Sequence, residues 1–118
     1  METTPIIIEE GRVTIRRQEG GVWLMEHEIA RLFNVFVSAV GANTRAILKS
    51  GVLREETVCR HQSTPNGGVM TLYNLEMITA LAFRLKSREA AQFREWMVRQ
   101  AVNPVVLWKI PGMDAVLN

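Results

Sequence analysis

The sequence predicts an α+β fold that contains a helix-turn-helix unit, short antiparallel strands in hairpins and two further helices. Apolar residues recur at helical spacing from residue 26 onwards, as in EIARLFNVFVSAV (residues 28–40). Runs that alternate apolar and polar residues flank two turn sequences, EEG and PNGG. We therefore expect a single domain over residues 1–103. Residues 104–118 are predicted to be an apolar tail, or the stub of a missing carboxy-terminal region.

The composition is that of a soluble globular protein, with 47% hydrophobic and 22% charged residues among 118. A single cysteine, Cys59, excludes an internal disulfide and suits a reducing cytosol, so we expect a cytoplasmic location. No apolar run reaches the roughly 18 residues of a membrane-spanning helix, so no membrane partner is expected. Because the net charge is only +2, any nucleic-acid binding depends on where the charges lie.

The first elements are predicted to be strands. Residues 6–9 and 12–18 are expected to form a hairpin with EEG at its turn and with Val13 and Ile15 on one face. The segment GGVWL follows and predicts a short strand that carries Trp23 inward.

Two helices are predicted next, one from Glu26 and one over residues 37–50 that ends at Gly51. Ala30 is the small residue where the two helices approach each other. Asn34, four residues later, falls at the turn, where a left-handed conformation favours Gly or Asn. Val35 and Val40 are expected to lock the second helix against the first.

The second half of the chain predicts another hairpin and two helices. Residues 57–64 are expected to pair antiparallel with residues 69–73, because the Asn-Gly pair in PNGG favours positive φ. Asn74 is predicted to cap the third helix, and Ser87 the fourth, which runs to about residue 102. We expect Trp96 in this last helix to be a buried anchor beside Phe93.

The candidate DNA contacts follow from the outward line of the second helix. Ser38 is the only polar side chain near the start of that helix, where bases are read. Arg45 and Lys49 lie further along and suit phosphates. Basic residues of the third and fourth helices are expected to extend the contact. The predicted DNA-binding residues are Ser38, Arg45, Lys49, Arg84, Arg88 and Arg94.

Catalytic and metal chemistry are not expected. Cys59 and His61 share a strand face, but two ligands do not make a zinc site, and the other histidine, His27, is distant in sequence. The adjacent glutamate pairs are expected to point apart, and the glycine-rich turns lack the strand-to-helix context of a phosphate loop. The sequence therefore predicts no cofactor, no metal and no enzyme.

An ordered series of motifs, VWL, EIARLF, GVL, LYNLE, FRLKS and QFREW, resembles the RhuM-like (virulence protein RhuM) family over residues 6–100. The amino-terminal region of that family is similar to the Bro-N type domains of phage antirepressors. The resemblance implies a DNA-associated regulatory module of bacterial genomes, phages and mobile elements, often placed ahead of a second region. Family members usually have Gly where this chain has Asn34 and more polar residues along FVSAVGANTRA, which implies weak direct base readout here. The residues on the family pattern are Tyr73, Asn74, Leu75, Arg84, Ser87, Phe93, Arg94 and Trp96.

Two functions remain open at this point. The first is a transcription-regulating module that binds double-stranded DNA mainly through its backbone. The second is a protein-interaction module, antirepressor-like or a homodimerisation domain, in which the apolar face of the second helix meets a regulatory protein or another copy. Joint exposure of Phe36, Val37 and Ala39 favours a protein partner. Their burial beside a ridge of the predicted polar and basic residues favours DNA.

Overall fold

The computed structural model describes residues 5–16 and 18–102, and in these ranges it is an α+β fold, as predicted. The predicted tail, residues 104–118, lies outside the described residues. The elements in chain order are β1 (Ile6–Glu9), β2 (Arg12–Ile15), β3 (Trp23–Leu24), α1 (Glu26–Phe33), α2 (Val37–Ser50), α3 (Glu55–Val58), β4 (Cys59–Ser63), β5 (Val69–Asn74), α4 (Leu75–Ala82) and α5 (Arg88–Val102).

The first hairpin is confirmed. β1 and β2 pair antiparallel, with Ile6 opposite Ile15. The turn places Glu10 and Gly11 at φ values of 48° and 79°, a conformation that glycine adopts without steric cost. Val13 is buried against the core, as the alternating pattern predicts. The second strand is shorter than expected and ends at Ile15.

The second sheet has the strand order β3-β5-β4, with antiparallel pairing throughout. Its β4–β5 hairpin turns at PNGG as predicted, and Gly67 has a φ of 89°. The prediction that pairing begins at residue 57 was two residues early, because residues 55–58 form α3. The carbonyl of Arg54 accepts from the amides of Thr57 and Val58, and this helical turn buries Val58 completely.

The connection between α1 and α2 has a left-handed residue at the position that the sequence predicts. Asn34 is left-handed, with φ 56° and ψ 51°, and its amide donates to carbonyls in the last turn of α1. The amide of Val35 then donates to the carbonyl of Ala30, at 3.0 Å, which closes the turn. Gly51 ends α2 at φ 82°.

Side chains cap the amino-terminal ends of α4 and α5. Oδ1 of Asn74 accepts from the amide of Met77, at 3.1 Å, and Oγ of Ser87 accepts from the amide of Ala90, at 3.0 Å. Each bond satisfies an amide that the first turn of a helix leaves without a partner. Both predicted caps are confirmed.

The core lies between the long helices and the inner faces of the two sheets. The rings of Phe33 and Phe93 meet edge to face across α1 and α5, with 5.6 Å between centroids. Fully buried aliphatic and methionine side chains surround them: Ile29, Met77, Ile78 and Leu81. None of the helices in the described ranges has the length and hydropathy that a membrane crossing needs.

The prediction that Trp23 points inward was wrong. Alternation along the strand puts its neighbours Val22 and Leu24 in the core and leaves Trp23 half-buried on the other face. Its indole Nε1 donates to the carbonyl of Gly20, at 2.8 Å, and the guanidinium carbon of Arg60 lies 4.1 Å from the ring centroid. Trp23 therefore anchors the surface of this sheet by hydrogen bonding and cation–π attraction.

Candidate nucleic-acid interface

α2 presents one side to the core and the opposite side to solvent. Its buried side includes Val40 and Ile47, which fix the rotation of the helix on its neighbours. Four residues at helical spacing lie along the outward side, and all are exposed: Ser38, Ala42, Arg45 and Lys49. The outward line predicted from the sequence is therefore present, and its cations lie in the second half of the helix.

The start of α2 carries two exposed apolar side chains, which we name the apolar tip. Phe36 is the residue before the first helical turn and is 83% exposed, and Val37 opens the helix at 46%. Ala39 is partly buried and packs against the core, so the three residues are not exposed together. The exposure criterion is thus met by the apolar tip only.

The left-handed turn explains why the apolar tip stays outside the core. Asn34 reverses the chain, and Val35 packs back on the core immediately afterwards. Phe36 is extended, with φ −71° and ψ 146°. The residue before it, Val35, is the one that packs on the core. The first turn of α2 has no acidic residue and no side-chain cap, so its helix-dipole charge is not neutralised locally.

Arg84 is brought next to α2 by tertiary structure. Its Nε donates to Oδ1 of Asn43 on α2, at 3.0 Å, although Arg84 itself follows the end of α4. The Asn43 amide is oriented in turn by a bond from Nδ2 to the carbonyl of Ala39, at 2.8 Å. The structure therefore brings Arg84 to the helix that carries Ser38 and Arg45.

Arg88 is placed against a different element. It lines a surface depression together with residues of β1 and β2, including Arg12 and Thr14, and not with α2. Its Nη2 lies 3.5 Å from a carboxylate oxygen of Glu89. Because its own side chain is well exposed, the pair contributes little to stability.

Arg94 has a structural role that the sequence analysis missed. Its Nη1 donates to the carbonyl of Ala82, at 2.7 Å, and to the carbonyl of Leu85, at 3.0 Å. These carbonyls lie at the end of α4, which has no basic residue in its last turn. Helix ends leave carbonyls without intrahelical partners, so the lack of a local cap was the signal that a distant donor is needed.

A second group that sequence reasoning missed surrounds Gly41, which is buried within α2. A Cβ at Gly41 would lie 3.3 Å from Oε1 of Glu26 and 3.4 Å from Nη1 of Arg45. Oε2 of Glu26 also accepts a hydrogen bond from the hydroxyl of Tyr73, at 3.1 Å. Glycine at this position therefore leaves room for the Glu26 carboxylate and the Arg45 guanidinium at the surface of α2.

Tyr73 is held in its neutral form at this junction. Burial raises the pKa of Tyr73 above its ordinary value, and the negative charge of Glu26 raises it further. The phenol therefore stays protonated and donates to the carboxylate. This bond ties β5 to the first turn of α1 and helps to fix the α1–α2 pair on the sheet.

The Cys59 and His61 pair has ordinary local partners. Nδ1 of His61 lies 3.1 Å from Oγ1 of Thr71, and its Nε2 lies 3.6 Å from a carboxylate oxygen of Glu55. Burial raises the pKa of the Cys59 thiol, and the charge of Glu55 adds to the effect. Within residues 5–16 and 18–102, no three His, Cys, Asp or Glu side chains cluster as metal ligands would.

Comparisons with protein-family models, with curated proteins and with solved structures find no match to this chain. Evidence for a function therefore comes first from the geometry of α2 and its neighbours.

Proposed function

We propose that the protein is a DNA-binding regulatory module in which α1 and α2 act as a helix-turn-helix and α2 enters the major groove. The observation that carries this proposal is the exposed line on α2, which has Ser38 near the start and Arg45 and Lys49 towards the end. The left-handed Asn34 and the buried Val40 supply the turn and the lock that such a unit needs. The motif resemblance to RhuM-like proteins favours the same class, of phage or mobile-element type.

The sheet around the helix pair supports this proposal. β3 precedes α1, the β4–β5 hairpin follows α2 by way of α3, and the strand order is β3-β5-β4. Residues 60–63 of β4 are all polar and exposed, so this hairpin presents a hydrophilic outer surface of the kind that contacts with DNA phosphates use.

The cations near α2 predict contact mainly with the phosphate backbone. Arg45, Lys49 and Arg84 are the exposed basic residues that the structure places on α2 or bonded to it. Arg88 lines a depression beside the first hairpin and not beside α2, and Arg94 donates to main-chain carbonyls, so neither is included in the proposed contact. Three neutralised phosphates give a slope of log affinity against log salt of about −3, at roughly 0.9 per phosphate.

Titration of random-sequence duplex DNA with the 118-residue chain at several salt concentrations tests this proposal. Arg45→Ala is expected to reduce the magnitude of the slope by about one and to weaken binding to all sequences alike. Arg99→Ala is the matched control, because Arg99 is exposed near the end of α5, and it should leave the slope unchanged. Failure to bind any duplex at low salt would contradict the proposal.

A protein-interaction role is the second candidate, and the exposure of Phe36 and Val37 favours it. In this role the apolar tip would meet another copy of the chain or a regulatory protein. Specific interfaces usually bury about 800 Å² on each partner, more than two side chains supply, so the contact would have to extend well beyond the tip. Sedimentation of the chain and of Phe36→Ala over a range of concentrations would reveal self-association that depends on the tip.

A further inference from the structure

We propose that the apolar tip reads thymine methyl groups, so that the protein prefers duplexes with thymine at the bases facing Phe36 and Val37. This inference rests on the proposed function, because it requires α2 to lie in the major groove. It adds a base preference to a contact that the charges alone would leave independent of sequence.

The position of the apolar tip on α2 carries the first step. The first residues of a recognition helix approach the base edges most closely. On α2 those residues are Phe36, 83% exposed, and Val37, 46% exposed, followed by Ser38 as the first polar side chain. Thymine is the one base that offers an apolar group in the major groove, its C5-methyl, and phenylalanine is among the side chains that contact it.

The basic residues of α2 are separated from the apolar tip along the helix axis. Phe36 and Arg45 are nine positions apart, which corresponds to about 13.5 Å along a helix that rises about 1.5 Å per residue, and Lys49 lies one turn further on. When the apolar tip meets base edges, these cations therefore lie away from the contacted bases, and side chains of this type usually bind phosphates.

Charge and area both favour DNA over protein as the partner of the apolar tip. The first turn of α2 has no acidic residue of its own to repel phosphates, and the same helix carries the exposed cations Arg45 and Lys49. A thymine methyl is small enough to be covered by two side chains. A stable protein interface would need several times more apolar surface.

Two duplexes that differ only in thymine methyl groups test this inference. One is a pool of random duplexes with thymidine, and the other is the same pool with deoxyuridine in its place. Charge and hydrogen-bonding groups are identical in the two pools. We expect the 118-residue chain to bind the thymidine pool at least about fourfold more tightly, the factor that corresponds to burying one methyl group.

Variants assign the preference to the apolar tip. Phe36→Ala should bind the thymidine pool more weakly and reduce the ratio between the pools to near one. Val52→Ala is the matched control, because Val52 is equally apolar and 78% exposed but lies beyond the other end of α2, and it should keep the full ratio. Thermal melts should be unchanged in both variants, since neither side chain is buried.

The possible failures are distinguishable. Equal binding of both pools by the unmodified chain would overturn thymine reading and leave the proposed DNA function standing. An unchanged ratio in Phe36→Ala would overturn the assignment to the apolar tip. Absence of binding to either pool at low salt would overturn both proposals, and self-association lost in Phe36→Ala would then assign the tip to a protein contact.

Discussion

Nε of Arg84 donates a hydrogen bond to Oδ1 of Asn43 at 3.0 Å and joins two residues that are 41 positions apart. The same amide donates from Nδ2 to the carbonyl of Ala39, at 2.8 Å, so its orientation is fixed from both sides. Asn43 therefore places a cation from the end of α4 beside α2 before any ligand arrives. Arranging the charge in advance lowers the conformational entropy that binding would otherwise cost.

The variants Asn43→Ala and Arg84→Ala should separate the effect of positioning the Arg84 guanidinium from the effect of its charge. Asn43→Ala keeps the guanidinium but releases it, so we expect weaker DNA binding, by less than about tenfold, and an unchanged salt slope. Arg84→Ala removes the proposed phosphate contact and should lower the magnitude of the slope by about one. Titrations of random duplex DNA at several salt concentrations measure both quantities. A reduced slope in Asn43→Ala would show that its bond to Arg84 does not act through position alone.

The hydrogen bonds of Arg94 predict that its substitution lowers the stability of the fold and leaves DNA binding unchanged. Arg94→Met keeps the aliphatic length of the side chain but removes both hydrogen bonds to the carbonyls of Ala82 and Leu85. The free energy of unfolding in urea should fall by about 2–3 kcal/mol, as expected for bonds to a charged donor. Arg99→Met, at an exposed site on α5, should change it by less than about 0.5 kcal/mol.

The slope of log DNA affinity against log salt, measured for Arg94→Met, decides whether Arg94 also contacts DNA. If its guanidinium serves only the end of α4, Arg94→Met should bind duplex DNA with the slope of the unmodified chain. A slope reduced by about one, with stability unchanged, would place Arg94 among the phosphate contacts that the sequence first suggested.

Substitutions of Asn34 test the conformation of the turn between α1 and α2. Its φ of 56° is left-handed, a conformation that costs a side chain with a Cβ about 1–2 kcal/mol and costs glycine nothing. Asn34→Ala should therefore lower the free energy of unfolding by about 1 kcal/mol, whereas Asn34→Gly should be neutral or slightly stabilising. Chemical denaturation of the two variants measures the difference. Equal effects would indicate that the turn can adopt another conformation.

Interactions between residues that are close in sequence sufficed to predict much of this fold. The bounds of α2, residues 37–50, follow from the left-handed stop at Gly51 and from an apolar stripe at helical spacing. The caps at Asn74 and Ser87 follow from side chains that bond amides three residues ahead. In each case the residue and its partner are close in sequence, so the chemistry of a few positions determines the structure.

The features that sequence analysis missed depend on contacts between distant segments. Oε2 of Glu26 meets the hydroxyl of Tyr73 across 47 positions, and Arg94 reaches the end of α4 only after α5 has packed beside it. Trp23 was predicted to point inward from its short strand, yet the alternation of that strand places it on the outer face. The outward line on α2 was predictable from helical periodicity, while the recruitment of Arg84 to it was not.

The aromatic cluster gives the last prediction, because its three rings differ in burial. Phe93 is fully buried and lies between Phe33, at 5.6 Å between centroids, and Trp96, at 6.0 Å. Phe93→Ala should therefore cost about 3–5 kcal/mol of unfolding free energy, as for a buried aromatic truncation. The sequence alone predicts a cost of about 3 kcal/mol or more for Trp96→Ala as well, treating it as a full anchor.

The structure lowers that expectation for Trp96. Trp96 is only partly buried and packs against the rim of the core, so its truncation opens a smaller cavity and exposes less new apolar surface. We expect a cost of roughly 1–3 kcal/mol for Trp96→Ala, below that of Phe93→Ala in the same urea titrations. If the two costs prove equal, Trp96 must be covered in solution by a surface beyond residues 5–16 and 18–102, such as a second copy of the chain. A dependence of the Trp96→Ala effect on protein concentration would then identify that copy, because mass action links the stability of an associating protein to its concentration.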